Sequence, residues 1–136
     1  MPGLTDLTEI LRSVDVEVRP DVYVYASLEP QHPGLALAAA TIAESEGVTA
    51  VLTRTDAVAA GIPSEFDAAW LTLTVHSSLE AVGLTAAFAA ALGEADISCN
   101  VLAGFHHDHI LVPWDRRDDA ARVLRGLRDG ARPARR

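Results

Sequence analysis

Hydrophobic and polar residues alternate from Trp70 to His76. Leu71, Leu73 and Val75 fall on one side and Thr72, Thr74 and His76 on the other. A period of two is that of a half-buried strand. After a loop and Gly83 the period changes. Leu84, Ala87, Phe88, Ala91, Leu92 and Ala95 recur at the spacing of an amphipathic helix. Alternation then returns with Ile97, Cys99, Val101, Ala103 and Phe105. A polar turn, His106 to Asp108, leads into Ile110, Leu111 and Val112. The pattern predicts a β-α-β-β unit over 70–112.

The remainder of the chain is built from the same two periods. Thr5 or Asp6 is placed to cap a short helix carrying Leu7, Ile10 and Leu11, with Glu9 near the capping-box position. Val14, Val16 and Val18 alternate with Asp15, Glu17 and Arg19, the pattern of an edge strand. Val22 to Leu28 is β-branched and aromatic and predicts a strand. Glu29 to Gly34 contains two prolines and reads as a loop. Leu35 to Glu46 is rich in alanine and predicts a helix ended by Gly47. Val48 to Leu52 predicts a short strand, and Arg54 to Ala60 a helical turn or two. Pro63, in a polar stretch, marks a boundary between domains 1–63 and 64–136. Near the C-terminus Asp115 is the expected N-cap of a helix with Ala120, Val123, Leu124 and Leu127 on its apolar stripe, and 129–136 reads as a disordered tail. The second half, read as β-α-β-β-α, has no strand-like segment after Leu127. A strand from the first half or from a partner chain has to complete its sheet.

Composition narrows the function classes. The chain has 136 residues, 49% of them apolar, enough for one compact unit or two half-size ones. No apolar run reaches the ~20 residues of a membrane span, and no basic stretch followed by an apolar one suggests a secretory signal. One cysteine, Cys99, excludes an intramolecular disulfide framework and fits a cytoplasmic location. Residues 1–115 carry a balance of −13, residues 116–136 one of +5, and every basic residue is Arg. An acidic body argues against nucleic acid as the main partner. The Arg-rich end reads as a solvated helix face and a frayed tail.

Catalytic motifs are missing from the sequence: no glycine-rich phosphate loop, G-x-S-x-G elbow, HExxH or CxxC. No catalytic residue is expected. The loop from His76 to Gly83 precedes a helix, whose first N–H groups are free to meet an anion such as a carboxylate. Ser77 and Ser78 add hydroxyls and Glu80 a partner for an amino group; equally, either serine turns or caps the chain. Ser98, Cys99 and Asn100 open the next strand. Asn100 has donors and an acceptor suited to the polar ends of an amino acid, or to the backbone. Cys99 has the parity of the apolar side, which suits a buried, inert thiol. His106, His107, Asp108 and His109 form the densest set of potential metal ligands. Alternation sends His107 and His109 to one side and His106 and Asp108 to the other, too few on a face for a closed zinc site. Neither metal nor cofactor is expected.

The segment VHSSLEAVGLTAAFAAALGEADISCNVLAGFHHDHILVP resembles the second domain of a family of small bacterial tandem ACT-domain proteins. The first half, with VYVYASL, AESEGVTAVLTR and AGIP, is similar to that family's first domain. More loosely, the chain resembles the regulatory ACT domains of aspartate kinases. The resemblance implies an α/β, ferredoxin-like fold: tandem ACT domains, antiparallel sheets, helices packed on one face. It also implies a regulatory or sensor role without catalysis. The expected ligand is a small molecule, an amino acid or something similar, and the expected assembly a homodimer or other homo-oligomer. Ser77, Ser78, Leu79, Glu80, Ala81, Val82, Gly83, Ser98, Cys99, Asn100 and His107 are the expected ligand-binding residues. A ligand-free module that docks a partner through a sheet edge, or a His-cluster metal protein, are the alternatives. Gly83→Val is expected to remove the ligand response and spare the fold.

Overall fold

The structure is a computed structural model that describes residues 6–75 and 82–130. The chain divides into an inserted unit, residues 20–69, and a split unit made of residues 1–19 and 70–136. The expected boundary at 63/64 falls within the inserted unit.

The inserted unit begins with β2 (Tyr23–Leu28), which follows the short strand β1 (Val16–Val18) of the split unit. A 3-10 turn (Pro33–Leu37), β3 (Ala40–Glu44), β4 (Gly47–Thr53) and α2 (Arg54–Ala59) come next; α1 is the N-terminal helix Leu7–Arg12. The unit closes with the first residues of β5 (Glu65–Leu73). Its strands lie in the order β3-β4-β2-β5, and every pairing is antiparallel. Counted along the unit, that order is 2-3-1-4, the ferredoxin-like arrangement. Val24, Ala26 and Leu28 of β2 share a face with Ala50 and Leu52 of β4 and pack against Ala57 of α2 and Ile62. Alternation thus puts the helix on one side of the sheet.

The helix expected over 35–46 is not there: a 3-10 turn and strand β3 occupy that span. Alanine's helix preference is a weak prior that tertiary pairing overrides. All of 41–44 is exposed, so a helix there would have had no apolar face to bury. Instead Ala40 to Glu44 pair residue by residue with Val51 to Gly47. Gly47, expected to end a helix, opens β4 with φ +151, and a Cβ there would lie 3.0 Å from the Ser27 hydroxyl and 3.1 Å from the Leu28 carbonyl oxygen.

The split unit holds α1, β1, the remainder of β5, α3 (Leu84–Glu94), β6 (Asn100–Ala103) and β7 (Asp108–Pro113). A 3-10 turn (Trp114–Arg116), α4 (Arg117–Arg125) and α5 (Leu127–Gly130) complete it. The β-α-β-β order expected over 70–112 is present. β5 begins earlier than its alternation suggested, and β6 ends before Phe105, which is 80% exposed. The strand order is β5-β7-β6, with β1 antiparallel to β5: Val16 faces Leu73 and Val18 faces Leu71. β1 therefore takes the place of the missing closing strand, and it comes from the first part of the chain. Buried Leu84, Phe88 and Leu92 are the inward stripe of α3, and Ile10, Val14, Leu71, Leu73 and Leu124 are equally buried.

Helix ends follow local chemistry. The Asp6 carboxylate accepts the Glu9 N–H at 3.1 Å and caps α1, so of the two expected caps, Thr5 and Asp6, it is Asp6 that does so. Asp115 does not cap α4: it lies inside the 3-10 turn, and Asp118 and Asp119 occupy the first helical turn, where the dipole favours them. Residues 127–130, in part assigned to the tail, are helical; 131–136 lie outside the described residues. Nor are the arginines merely a solvated face. Arg125 donates to the Asp15 carboxylate at 2.9 Å and to the Val16 carbonyl at 2.8 Å, tying α4 to β1. Arg116 donates to the Ala95 and Asp96 carbonyls, both at 3.3 Å, at the end of α3.

Ile10 has no solvent exposure and Val58 is 75% exposed. Ile10→Ala is expected to cost about 2–5 kcal/mol, and Val58→Ala no more than about 0.5 kcal/mol, both measured by urea unfolding of the full chain.

Candidate functional site

β5 leads from Leu73 through buried Val75 toward α3. Of the expected ligand loop, Ser77, Ser78, Leu79, Glu80 and Ala81 lie outside the described residues, as does His76. The two that are described sit at the start of α3. Val82 is 82% exposed, and Gly83 is the N-cap residue with φ +98. No side chain among the described residues caps this helix, and its first turn holds no acidic residue. Among the described residues, then, no side chain meets the first N–H groups of α3, the groups that a helix leaves without intrahelical partners.

Gly83 is required twice over. Its φ lies in the left-handed region that L-residues rarely adopt, and a Cβ would come 3.0 Å from a Leu7 methyl. Gly83→Val therefore strains the backbone and crowds Leu7, contrary to the expectation that the fold would be spared.

Ser98, Cys99 and Asn100 lie beyond the other end of α3. Eleven residues of helix span about 16 Å, so these three are not gathered with Gly83. In a β-α-β crossover the helix returns the chain to the starting edge of the sheet, and the second strand begins there. Ser98 and Asn100 are exposed, and Asn100 opens β6 opposite Leu111. Cys99 is half-buried, and burial pushes its thiol above the usual pKa. That suits an unreactive thiol better than a nucleophile.

β6 runs to the opposite edge, where the Gly104 N–H donates to the His107 carbonyl at 2.8 Å and closes the turn into β7. His107 is exposed at this tip. Its neighbour His109 contacts Thr72, close to the end of β5, so the tip lies at the end of the sheet where β5 finishes. Of the expected residues, this edge collects Val82, Gly83 and His107.

The four residues His106 to His109 do different things. His106 stacks edge-on with exposed Phe105 at 4.9 Å. His107 and His109 rings are 6.5 Å apart. His109 turns inward and was not singled out by the sequence as distinct from its neighbours. Trp70 donates its indole N–H to His109 Nδ1 at 3.2 Å, and the Thr72 hydroxyl lies 2.9 Å from the same nitrogen. The Arg19 guanidinium stacks on Trp70 at 4.0 Å. An indole N–H only donates, so Nδ1 accepts and the ring is neutral with its proton on Nε2. Burial lowers the His109 pKa from 6.5, with Arg19 and His107 adding to the effect and Asp108 opposing it. Burial raises that of Asp108 from 3.8. The alternation of Trp70, Thr72 and Thr74 was the available signal for this cluster. What it lacked was which strand lies alongside. Among the described residues no three His, Cys, Asp or Glu side chains are grouped to hold a metal ion.

Two ACT-domain models match the sequence, one over residues 2–69 and the other over 65–126. No curated protein matches it. Among solved structures, a Vibrio cholerae protein of unknown function, described as a possible transport protein, is 41% identical; the match covers 90% of this chain and 95% of that one, with a TM-score of 0.82. The regulatory subunit of aspartate kinase from Thermus flavus shares the fold at 13% identity and a TM-score of 0.59, over 83% of this chain and 96% of that one. An Agobacterium tumefaciens protein does so at 15% identity and a TM-score of 0.65, over 84% and 88%. No helix among the described residues is long and apolar enough to cross a membrane.

A neutral, inward His109 makes stability depend on pH. The unfolded chain takes up the proton near 6.5, while the folded chain resists it until its lowered pKa is reached. The contribution of His109 is therefore intact above 6.5 and is lost as pH falls from there through the folded value. Asp108 has the opposite sign: its raised pKa adds stability below 3.8 that disappears as pH rises through the raised value. Urea midpoints measured across the acidic range should fall toward low pH more steeply for the wild type than for His109→Gln. Equal slopes would remove His109 as the source.

Proposed function

Because this chain belongs to the ACT-domain family, as a tandem of two such domains, we propose that it is a regulatory or sensor protein that binds a free amino acid and has no catalytic role. The observation that supports this most is the start of α3. A helix eleven residues long opens behind a left-handed glycine, with no acid in its first turn and no capping side chain among the described residues. That arrangement offers N–H groups and the positive end of a helix dipole to a carboxylate. In this reading Ser77 and Ser78 add hydroxyl groups and Glu80 receives the ligand's ammonium. Leu79, Ala81 and Val82 carry the backbone past the ligand, and His107 approaches from the hairpin tip. Ser98, Cys99 and Asn100 belong to the opposite edge and are left out of the site.

Assembly enters the same proposal. β3 and β6 are the outermost strands of their sheets. β3 is exposed along 41–44 and presents Ile42 at 45% exposure. An edge strand with an open row of backbone groups and an apolar side chain is a template for pairing with another strand. We assign it to contact with a second copy of the chain. The ligand then acts by favouring whichever arrangement it binds better, and by no more than that difference in affinity.

A thermal-shift screen of the full chain against the twenty amino acids tests this reading. One of them should raise the melting temperature by several degrees, since a ligand at about 100 times its Kd adds roughly 2.7 kcal/mol. Glu80→Gln should reduce that shift while leaving the ligand-free melting temperature unchanged. It is a cleaner probe than any substitution at Gly83. No shift with any amino acid, or a full shift in Glu80→Gln, counts against the site.

A further inference from the structure

The inserted unit carries a polar groove that the proposed amino-acid site does not use. Its origin is strand parity. Val24, Ala26 and Leu28 point into the core under α2, so Tyr25 and Ser27 point to the other face of the same sheet. Thr49 is the cross-strand partner of Ser27 and points with them. Pro63, Ser64 and Glu65 form the remaining side, around a space of about 500 Å³.

Two irregularities converge here. β2 and β5 lose register between Tyr23, which faces Ala68, and Tyr25, which faces Glu65: two steps along β2 answer three along β5. Such bulges re-aim side chains. Within the bulge Phe66 has φ 65, an outlier for an aromatic residue that persists only where surrounding structure imposes it. It holds the Phe66 ring 6.0 Å from that of Tyr25 and leaves Glu65 and Ser64 beside the Tyr25–Ser27 row.

The lining has a definite chemistry. The side chains of Tyr25, Ser27, Ser64 and Glu65 make no hydrogen bond to any described residue. The Thr49 hydroxyl donates to the Glu44 carboxylate, which brings a second negative charge to the rim. No Arg or His is among the lining residues. A carboxylate would meet only like charge, whereas an ammonium would find Glu65. We infer that the groove binds a small molecule bearing a primary ammonium and several hydroxyls but no carboxylate. The ammonium sits on Glu65, and the hydroxyls on Tyr25, Ser27 and Ser64. This class differs from the amino acid proposed for the start of α3, and neither site depends on the other.

Amide NMR titration of the full chain with glucosamine, in an amine-free buffer, tests this. Saturable shifts are expected at Tyr25, Ser27, Thr49 and Glu65. N-acetylglucosamine, in which the charge is gone, should bind roughly tenfold more weakly. Glu65→Gln, an exposed position, should weaken glucosamine to a similar degree. Tyr25→Phe, which keeps the ring contact, should weaken it several-fold. Glu80→Gln should leave glucosamine binding untouched, which separates failure here from failure of the amino-acid site. Absence of saturable shifts, or equal glucosamine binding by Glu65→Gln and the wild type, overturns the inference.

Discussion

The pairing of Val16–Val18 with Leu71–Leu73 is the contact on which the rest of the split unit depends. A ferredoxin-like sheet needs a fourth strand beside its first, and the described residues after α4, Leu127–Gly130, are helical. β1 fills the position in antiparallel register. Its pairing covers the backbone groups of β5 that would otherwise form an open edge. It also brings in α1, so that Ile10 and Val14 become fully buried. Arg125 then clamps β1 from the far end of the chain through Asp15 and the Val16 carbonyl. A short strand of three residues is weak alone; its place is held by the groups on either side of it.

β5 itself is used twice along its length. Residues up to Ala68 pair with β2, and residues from Leu71 pair with β1. That explains why this strand runs to nine residues while β1 has three. It also explains why polar and apolar positions alternate cleanly only in its later part. The earlier part contains the bulge and Phe66, where the side-chain period slips by a residue. An alternation search therefore finds the start of the regular half and misses the true start of the strand.

Polar chemistry in the split unit divides between the two edges of its sheet. At one edge are the start of α3, the left-handed Gly83 and the His107 tip. At the other are Ser98 and Asn100, which were expected to bind the ligand together with the loop. Near the first edge, Trp70, Thr72 and His109 form a hydrogen-bonded cluster on adjacent strands. His109 is held neutral there, because Nδ1 already accepts from an indole and burial disfavours a second proton. The four-residue histidine run thus contains one structural histidine and two exposed ones.

The sequence by itself determined the elements whose side chains face one continuous apolar surface. The β-α-β-β order over 70–112, a cap at Thr5 or Asp6, the strands at 16–18 and 23–28, and the need for a borrowed strand all follow from local pattern and length. Membership of the tandem ACT architecture was likewise legible in the motifs of the second half. Whatever depends on partners distant in sequence was decided by the tertiary structure. Ala40–Glu44 became a strand because β4 offered it backbone hydrogen bonds, and alanine's helix preference is too small to compete. The identity of the closing strand, the different role of His109 and the separation of Asn100 from Gly83 were settled in the same way. Each is a question of which strand lies beside which and in which direction it runs. A periodic pattern records only which face of a strand is apolar, so it is silent on both.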